Sequence, residues 1–237
     1  MNKILKFGIA AVSLSVAASV FAEEEAEELE GAVGWTPVAV SLASPVQIPW
    51  GCATWDVFGL DLGLFYTDTP KMYGLGVCGG AARIRNNLKG VQVTGLCNWN
   101  EADVYGLRAT LGANLSFAST YGMDIGGFAY REGEFWGIDM ELIGSYQRDF
   151  WGAQFSGLVN FTDGQSYGLT TAIGGNIALK AYGLQLAGVF NQTDELHGCQ
   201  IGLINFAREC PWGFQIGLVN IIMDNKVKVL PFLNCYF

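Results

Sequence analysis

Between Gly198 and Asn220 the chain states one phrase twice. Gly198-Cys199-Gln200-Ile201-Gly202-Leu203-Ile204-Asn205 is followed, 15 residues on, by Gly213-Phe214-Gln215-Ile216-Gly217-Leu218-Val219-Asn220. Carried towards the N-terminus, the frame finds a glycine behind a large, usually aromatic residue at Gly183, Gly168, Gly152, Gly137, Gly122, Gly106, Gly90, Gly74 and Gly59. Every interval is 15 or 16 residues. A fixed period of this kind means that one supersecondary unit is built again and again, and it constrains the fold more than any composition does.

Within a unit, side chains alternate. After Gly152, Ala153, Phe155, Gly157 and Val159 fall on one face, and Gln154, Ser156, Leu158 and Asn160 on the other. The same parity sets Leu107, Ala109, Leu111 and Ala113 against Arg108, Thr110 and Asn114, and Ile138, Met140 and Leu142 against Asp139, Glu141 and Ser145. Period two is a β-strand signature. A helix would have to carry interior glycines at ~1 kcal/mol each. Two all-β architectures accept such a repeat: an up-and-down antiparallel barrel and a single-stranded-coil β-solenoid.

Three features make the barrel the primary expectation. A membrane-crossing strand of ~9–11 residues leaves about five for a turn, which fits the unit. The residue before the repeat glycine, on the apolar face, is Tyr105, Tyr121, Trp136, Trp151, Tyr167, Tyr182 or Trp212 in seven units. In an antiparallel wall these rings would form two membrane girdles, whereas in a solenoid they would form a ladder at one corner. The last apolar face, Val227 to Phe237, ends on a phenylalanine like the closing strand of an outer-membrane barrel, by which such proteins engage the barrel-assembly machinery. Eleven units and this strand predict about 12 strands, or 13 to 14 if an opening segment near Trp35 to Ala43 is added. The solenoid is the alternative.

The N-terminus sets the compartment. Lys3 and Lys6 precede an uncharged run from Phe7 to Phe21, so residues 1–22 read as a secretory signal peptide. Residues 23–32, with six glutamates, form an acidic linker, and 33–237 form one repeat domain. With residues 1–22 set aside, which hold two lysines and no acid, 11 basic residues face 22 acidic ones, a net charge of −11. Nucleic acid is not an expected partner at that charge. The expected location is the outer membrane or cell surface, with the lipid bilayer as partner. The six cysteines are scattered without a C-x-x-C and there is one histidine, so the sequence predicts neither a zinc site nor any cofactor. Most of the cysteines read as small apolar fillers, with room for one or two bridges.

The Gly-x-Gln-Ile-Gly-Leu-x-Asn units at 198–205 and 213–220, the weaker copies at Gly90 to Asn98 and Gly183 to Asn191, and the ending Leu230-Pro231-Phe232-Leu233-Asn234 resemble the bacterial surface-exposed repeat proteins first described in spirochaetes. The likeness covers about residues 57 to 237 and is close in the last two units. It implies an exported cell-surface protein, and it brings no catalytic residue and no ligand. Gly122 and Gly137 depart from the pattern, with Asp124 and Asp139 where the motif has glutamine.

For chemistry, the polar face of the barrel would be its lumen, lined by Asp61, Arg108, Asp124, Asp139 and Glu141. Four acids against one base predict a small cation-preferring pore. The opposing expectation is an interior closed by its own hydrogen bonds in a non-conducting structural or adhesive surface protein. Antiparallel neighbours would hold Asp124 and Asp139 at opposite ends, with Arg108 the only base at a repeat position. An enzyme is not expected: His197 takes an aromatic position, and Ser145 and Ser156 have no orienting partner. Gly79-Gly80, Gly126-Gly127 and Gly174-Gly175 fall mid-strand without a lysine or helix after them, so they curve the wall and do not cradle phosphate.

Overall fold

The computed structural model describes residues 33 to 236. The segment read as a signal peptide, the acidic linker 23–32 and Phe237 lie outside the described residues. From Gly34 onward the chain is all-β, with one 3-10 turn at Cys52–Thr54. The opening strand Gly34–Ala43 folds back on Val46–Ile48 as a hairpin, and Trp55–Thr69 then lies parallel to the opening strand.

From there each repeat pairs in parallel with the next, glycine on glycine. Gly59 lies opposite Gly74, Gly74 opposite Gly90, Gly90 opposite Gly106 and Gly106 opposite Gly122. The series continues through Gly137, Gly152, Gly168, Gly183, Gly198 and Gly213. The expected antiparallel barrel of about 12 strands is therefore corrected to the alternative, a β-solenoid. One repeat is one full turn of the chain, bent into two strand segments such as Val104–Thr110 and Ala113–Ser116. The bend, and not a long crossover, brings the chain back for parallel pairing. A turn of 15 residues stacks like residues on like, and period-two patterning is indifferent to whether neighbours run the same way or opposite ways.

The glycine pairs sit at bends. Gly79 and Gly80 separate Met72–Cys78 from Ala81–Ile84, and Gly174 precedes Gly175–Ala187. At Gly126-Gly127 the register slips against the next turn. The expected mid-strand placement holds for Gly126-Gly127, inside Thr120–Arg131, and is corrected to a break between strands for Gly79-Gly80 and Gly174, although curvature is what all of them provide. The C-terminal strand spans Val229–Cys235 and pairs antiparallel with Ile204–Ile222. It covers the last turn and does not close a wall onto the first strand. Together with the opening hairpin it shields the two ends, where a solenoid would otherwise expose unpaired backbone.

The interior is layered. At one corner the residue two before the repeat glycine points inward in every turn but the last, where Pro211 is exposed, and is apolar in most: Val57, Met72, Leu88, Val104, Phe135, Phe150, Ala181 and Leu196 are buried. Ile84, Ala207, Cys210 and Ile222 from the second strand segments pack into the same apolar clusters. Much of the remaining interior is polar. Asn160 Nδ2 donates to Asn176 Oδ1 at 2.8 Å, Asn176 to Asn191 at 2.9 Å, Asn191 to Asn205 at 2.9 Å and Asn205 to Asn220 at 2.8 Å. Each amide also donates to a backbone carbonyl, as Asn191 does to Ile201 at 2.9 Å. Beside it, Gln215 donates to Gln200 and Gln200 to Gln185, both at 2.8 Å. Burying amides without partners would cost several kcal/mol apiece, so only in-register stacking, where each amide meets its copy, makes such a core tolerable.

Candidate functional site

The glutamine column changes character in the middle of the stack. Running up the turns it reads Gln92, Arg108, Asp124, Asp139, Gln154, every one buried. Asp124 and Asp139 face each other across adjacent turns, and parallel register brings them together at the same level. The expectation that they occupy opposite ends is corrected. The cation that makes their proximity possible is Arg131, which sequence reasoning missed.

Arg131 reaches across from the second strand segment of its turn. Its Nη2 donates to Asp124 Oδ2 and to Asp139 Oδ1, both at 2.6 Å, its Nε to Asp124 Oδ2 at 3.0 Å, and its Nη1 to Gln147 Oε1 at 3.1 Å. The guanidinium also lies 4.2 Å from the centre of the Phe135 ring. Arg108 grips Asp124 from the other side, Nε to Oδ1 at 2.9 Å and Nη2 to Oδ2 at 2.5 Å, and its Nη1 donates to Asn100 Oδ1 at 2.9 Å. Gln154 completes Asp139 with a 3.0 Å bond to Oδ2. Two guanidinium groups thus offset two carboxylates in fork geometry, the arrangement in which a buried ion pair costs least.

Glu141 is the fifth member. Its Oε1 accepts from Asn114 Nδ2 at 3.3 Å and lies 3.8 Å from Arg131, while Oε2 has no hydrogen-bond partner. Burial, and after it the charge of Asp139, pushes its carboxyl up to about 9. Both causes favour its protonated form, in which it adds no third negative charge to the cluster. Burial acts on Asp124 in the same upward direction, but Arg108 and Arg131 outweigh it and hold that carboxyl below the usual range. Asp61 stands apart near the N-terminal end, accepting from Thr69 Oγ1 at 2.9 Å, and burial pushes it up to about 6.

Glu141 makes the stability of the fold sensitive to base. Because its folded pKa lies above the free value of 4.5, its contribution is fully present at low pH and is lost as pH rises towards about 9. Asp61 acts in the same direction between 3.8 and about 6, and Asp124 in the opposite direction on acidification. Glu141→Gln is expected to flatten the decline between pH 7 and 9 in urea titrations followed by circular dichroism. An unchanged slope would show that Glu141 is already ionised in the fold.

No family model, curated protein or solved structure matches this chain.

Asp61, Arg108, Asp124, Asp139 and Glu141 do share the interior, as their parity predicts, but as packed core groups bonded between two strand segments. The wide lumen that the barrel required is replaced by a core that these side chains fill. Among the described residues, no three His, Cys, Asp or Glu side chains converge as metal ligands. Cys78, Cys97, Cys199, Cys210 and Cys235 are unpaired thiols.

The seven expected girdle residues are corrected from two rows to one. Tyr105 stacks on Tyr121 at 5.0 Å, and Trp136, Trp151, Tyr167 and Tyr182 stack in sequence at 4.5, 5.5 and 4.4 Å. His197 continues the column 4.6 Å from Tyr182, held by Glu195 Oε1 2.6 Å from its Nε2, and Trp212 takes the next register position. Parallel stacking puts every copy of a residue at the same corner.

Proposed function

We propose that the protein is a non-enzymatic structural β-solenoid of the bacterial cell envelope, exported and carried at the cell surface. The observation that supports this reading is that the interior is consumed by its own ladders and charge cluster, which leaves the outer surface of a stiff stack of eleven repeat glycines as the part offered to other molecules. Solenoids suit that task, since each turn contacts only its neighbours and length can be added without redesigning a core. The resemblance of the units at 198–205 and 213–220 to surface-exposed repeat proteins points the same way. Cell fractionation with impermeant surface labelling tests it: the chain is expected in the envelope fraction and labelled on intact cells, and recovery as a freely soluble periplasmic protein would overturn the reading. The competing pore is separated by planar-bilayer recording, in which the purified chain is expected to pass no ions.

A further inference from the structure

The outer surface is not uniform, and one turn shows its order. Along Glu134 to Arg148 the outward residues run from Glu134 to Trp136, then through Ile138 and Met140 to Leu142 and Ile143 at the bend, then to Tyr146 and Arg148. Charge, aromatic ring, apolar strip, aromatic ring and charge follow in that order. In-register stacking extends each class into a rail along the stack. The strip turns the corner, where Leu111 is 87%, Leu142 76% and Ile173 73% exposed. With turns ~4.8 Å apart and five or so residues of ~3.3 Å across, eleven turns present roughly 800 Å² of apolar surface. That exceeds the ~300–600 Å² of the largest patch on a typical soluble monomer.

From these rails we infer that the strip seats the solenoid on the surface of a lipid bilayer, lying in the interface without crossing it. The inference deepens the proposed envelope role and rests on it. Two observations select lipid over a second copy of the chain. The first is the aromatic margins. On one side Trp136 Nε1 donates to Glu134 Oε2 at 3.2 Å and the Tyr167 hydroxyl to Gln165 Oε1 at 2.7 Å. On the other, Tyr130 stacks on Tyr146 at the margin, with the Tyr130 hydroxyl donating to Glu132 Oε1 at 3.1 Å, and the column continues to the buried Phe161. Polar tips on both margins point away from the strip, as amphipathic rings do at headgroup level. The second is shape: a strip that wraps a corner is convex, so a rigid second copy could cover only its corner or one flank and would leave the rest bare, whereas acyl chains conform to it. The charged rails mix Glu134, Asp149 and Lys180 on one side and Arg148, Asp163 and Arg208 on the other, so neither margin demands an anionic lipid.

The test uses the full chain and phosphatidylcholine vesicles, comparing wild type with Leu142→Glu/Leu158→Glu on the corner and with Arg208→Gln in the charged rail. Residues 1–22 are present in all three and contribute equally. Wild type and Arg208→Gln are expected to float with the vesicles, with tryptophan emission shifted to the blue and quenched by brominated lipid. The double variant is expected to partition about tenfold less or weaker, at unchanged circular dichroism and urea midpoint. A wild type that stays with the soluble fraction, whether as a monomer or as a dimer that the double variant splits, overturns the inference. So does a double variant that binds as well as wild type. Surface labelling with no vesicle binding would sink this inference alone and leave the envelope reading standing.

Discussion

Gly152→Ala is expected to unfold the middle of the solenoid. Gly152 has φ of 139°, and a Cβ built there would lie inside the van der Waals surface of the Gly137 carbonyl oxygen, with the Gly137 backbone on both sides of it. That carbonyl belongs to the ladder and cannot give way without breaking the pairing between turns. The glycine above is packed against Gly152 in the same way, so the disturbance passes upward. A backbone clash added to a forbidden φ places the loss at about 4 kcal/mol or more, the exceptional end of single substitutions. Because each turn is stabilised only by its neighbours, the break should also divide one cooperative urea transition into two. Gly51→Ala is the control: φ there is 86°, yet a Cβ meets nothing within 4 Å, so only the left-handed backbone cost of ~1–2 kcal/mol applies. Equal midpoints for the two variants would show that the glycine column is not closely packed.

The second large effect is expected at Arg131. Arg131→Met keeps most of the side-chain volume but leaves Asp139 with Gln154 as its hydrogen-bond partner and Asp124 with Arg108 alone. Removing one member of a buried ion cluster strands the opposite charge, at about 3–5 kcal/mol. Adding Asp139→Asn to Arg131→Met should restore much of that, because the stranded charge and its desolvation cost disappear together. Arg131→Lys should recover less, since one ammonium cannot present the fork that holds two carboxylates and Gln147 at once. Urea midpoints of the four proteins at pH 7 decide it. If the double variant is no more stable than Arg131→Met, the cost lies in packing against Phe135 and not in charge.

These two residues also mark how far the sequence could be read. The eleven glycines were found from the 15–16-residue period, and all of them have φ between 114° and 152°. Counting parity from them placed Asp61, Arg108, Asp124, Asp139 and Glu141 in the interior, where each is buried. The same counting hid Arg131. It stands nine residues after Gly122, which by strict alternation faces outward, but the bend at Gly126-Gly127 absorbs a residue and the register slips there, so parity inverts for the second strand segment. The sign of such a slip was present elsewhere: Asn191 follows its glycine by eight residues and Asn205 follows its own by seven, yet both belong to one amide ladder.

What the sequence determined by itself was therefore local: the unit length, the β conformation, the alternation of faces and the recurrence of Gln, Asn and an aromatic residue at set places. Those properties follow from backbone sterics and side-chain parity within one unit, and they hold whichever way the neighbouring unit runs. Strand direction, the bend that makes two segments of one repeat, the merging of two expected girdles into one aromatic ladder and the meeting of Asp124, Asp139 and Arg131 were decided only by the tertiary structure. The physical reason is that an amide ladder or a shared guanidinium forms between turns, not within one. Its free energy exists only once copies lie in parallel register, and a single unit, however exactly repeated, does not carry that information.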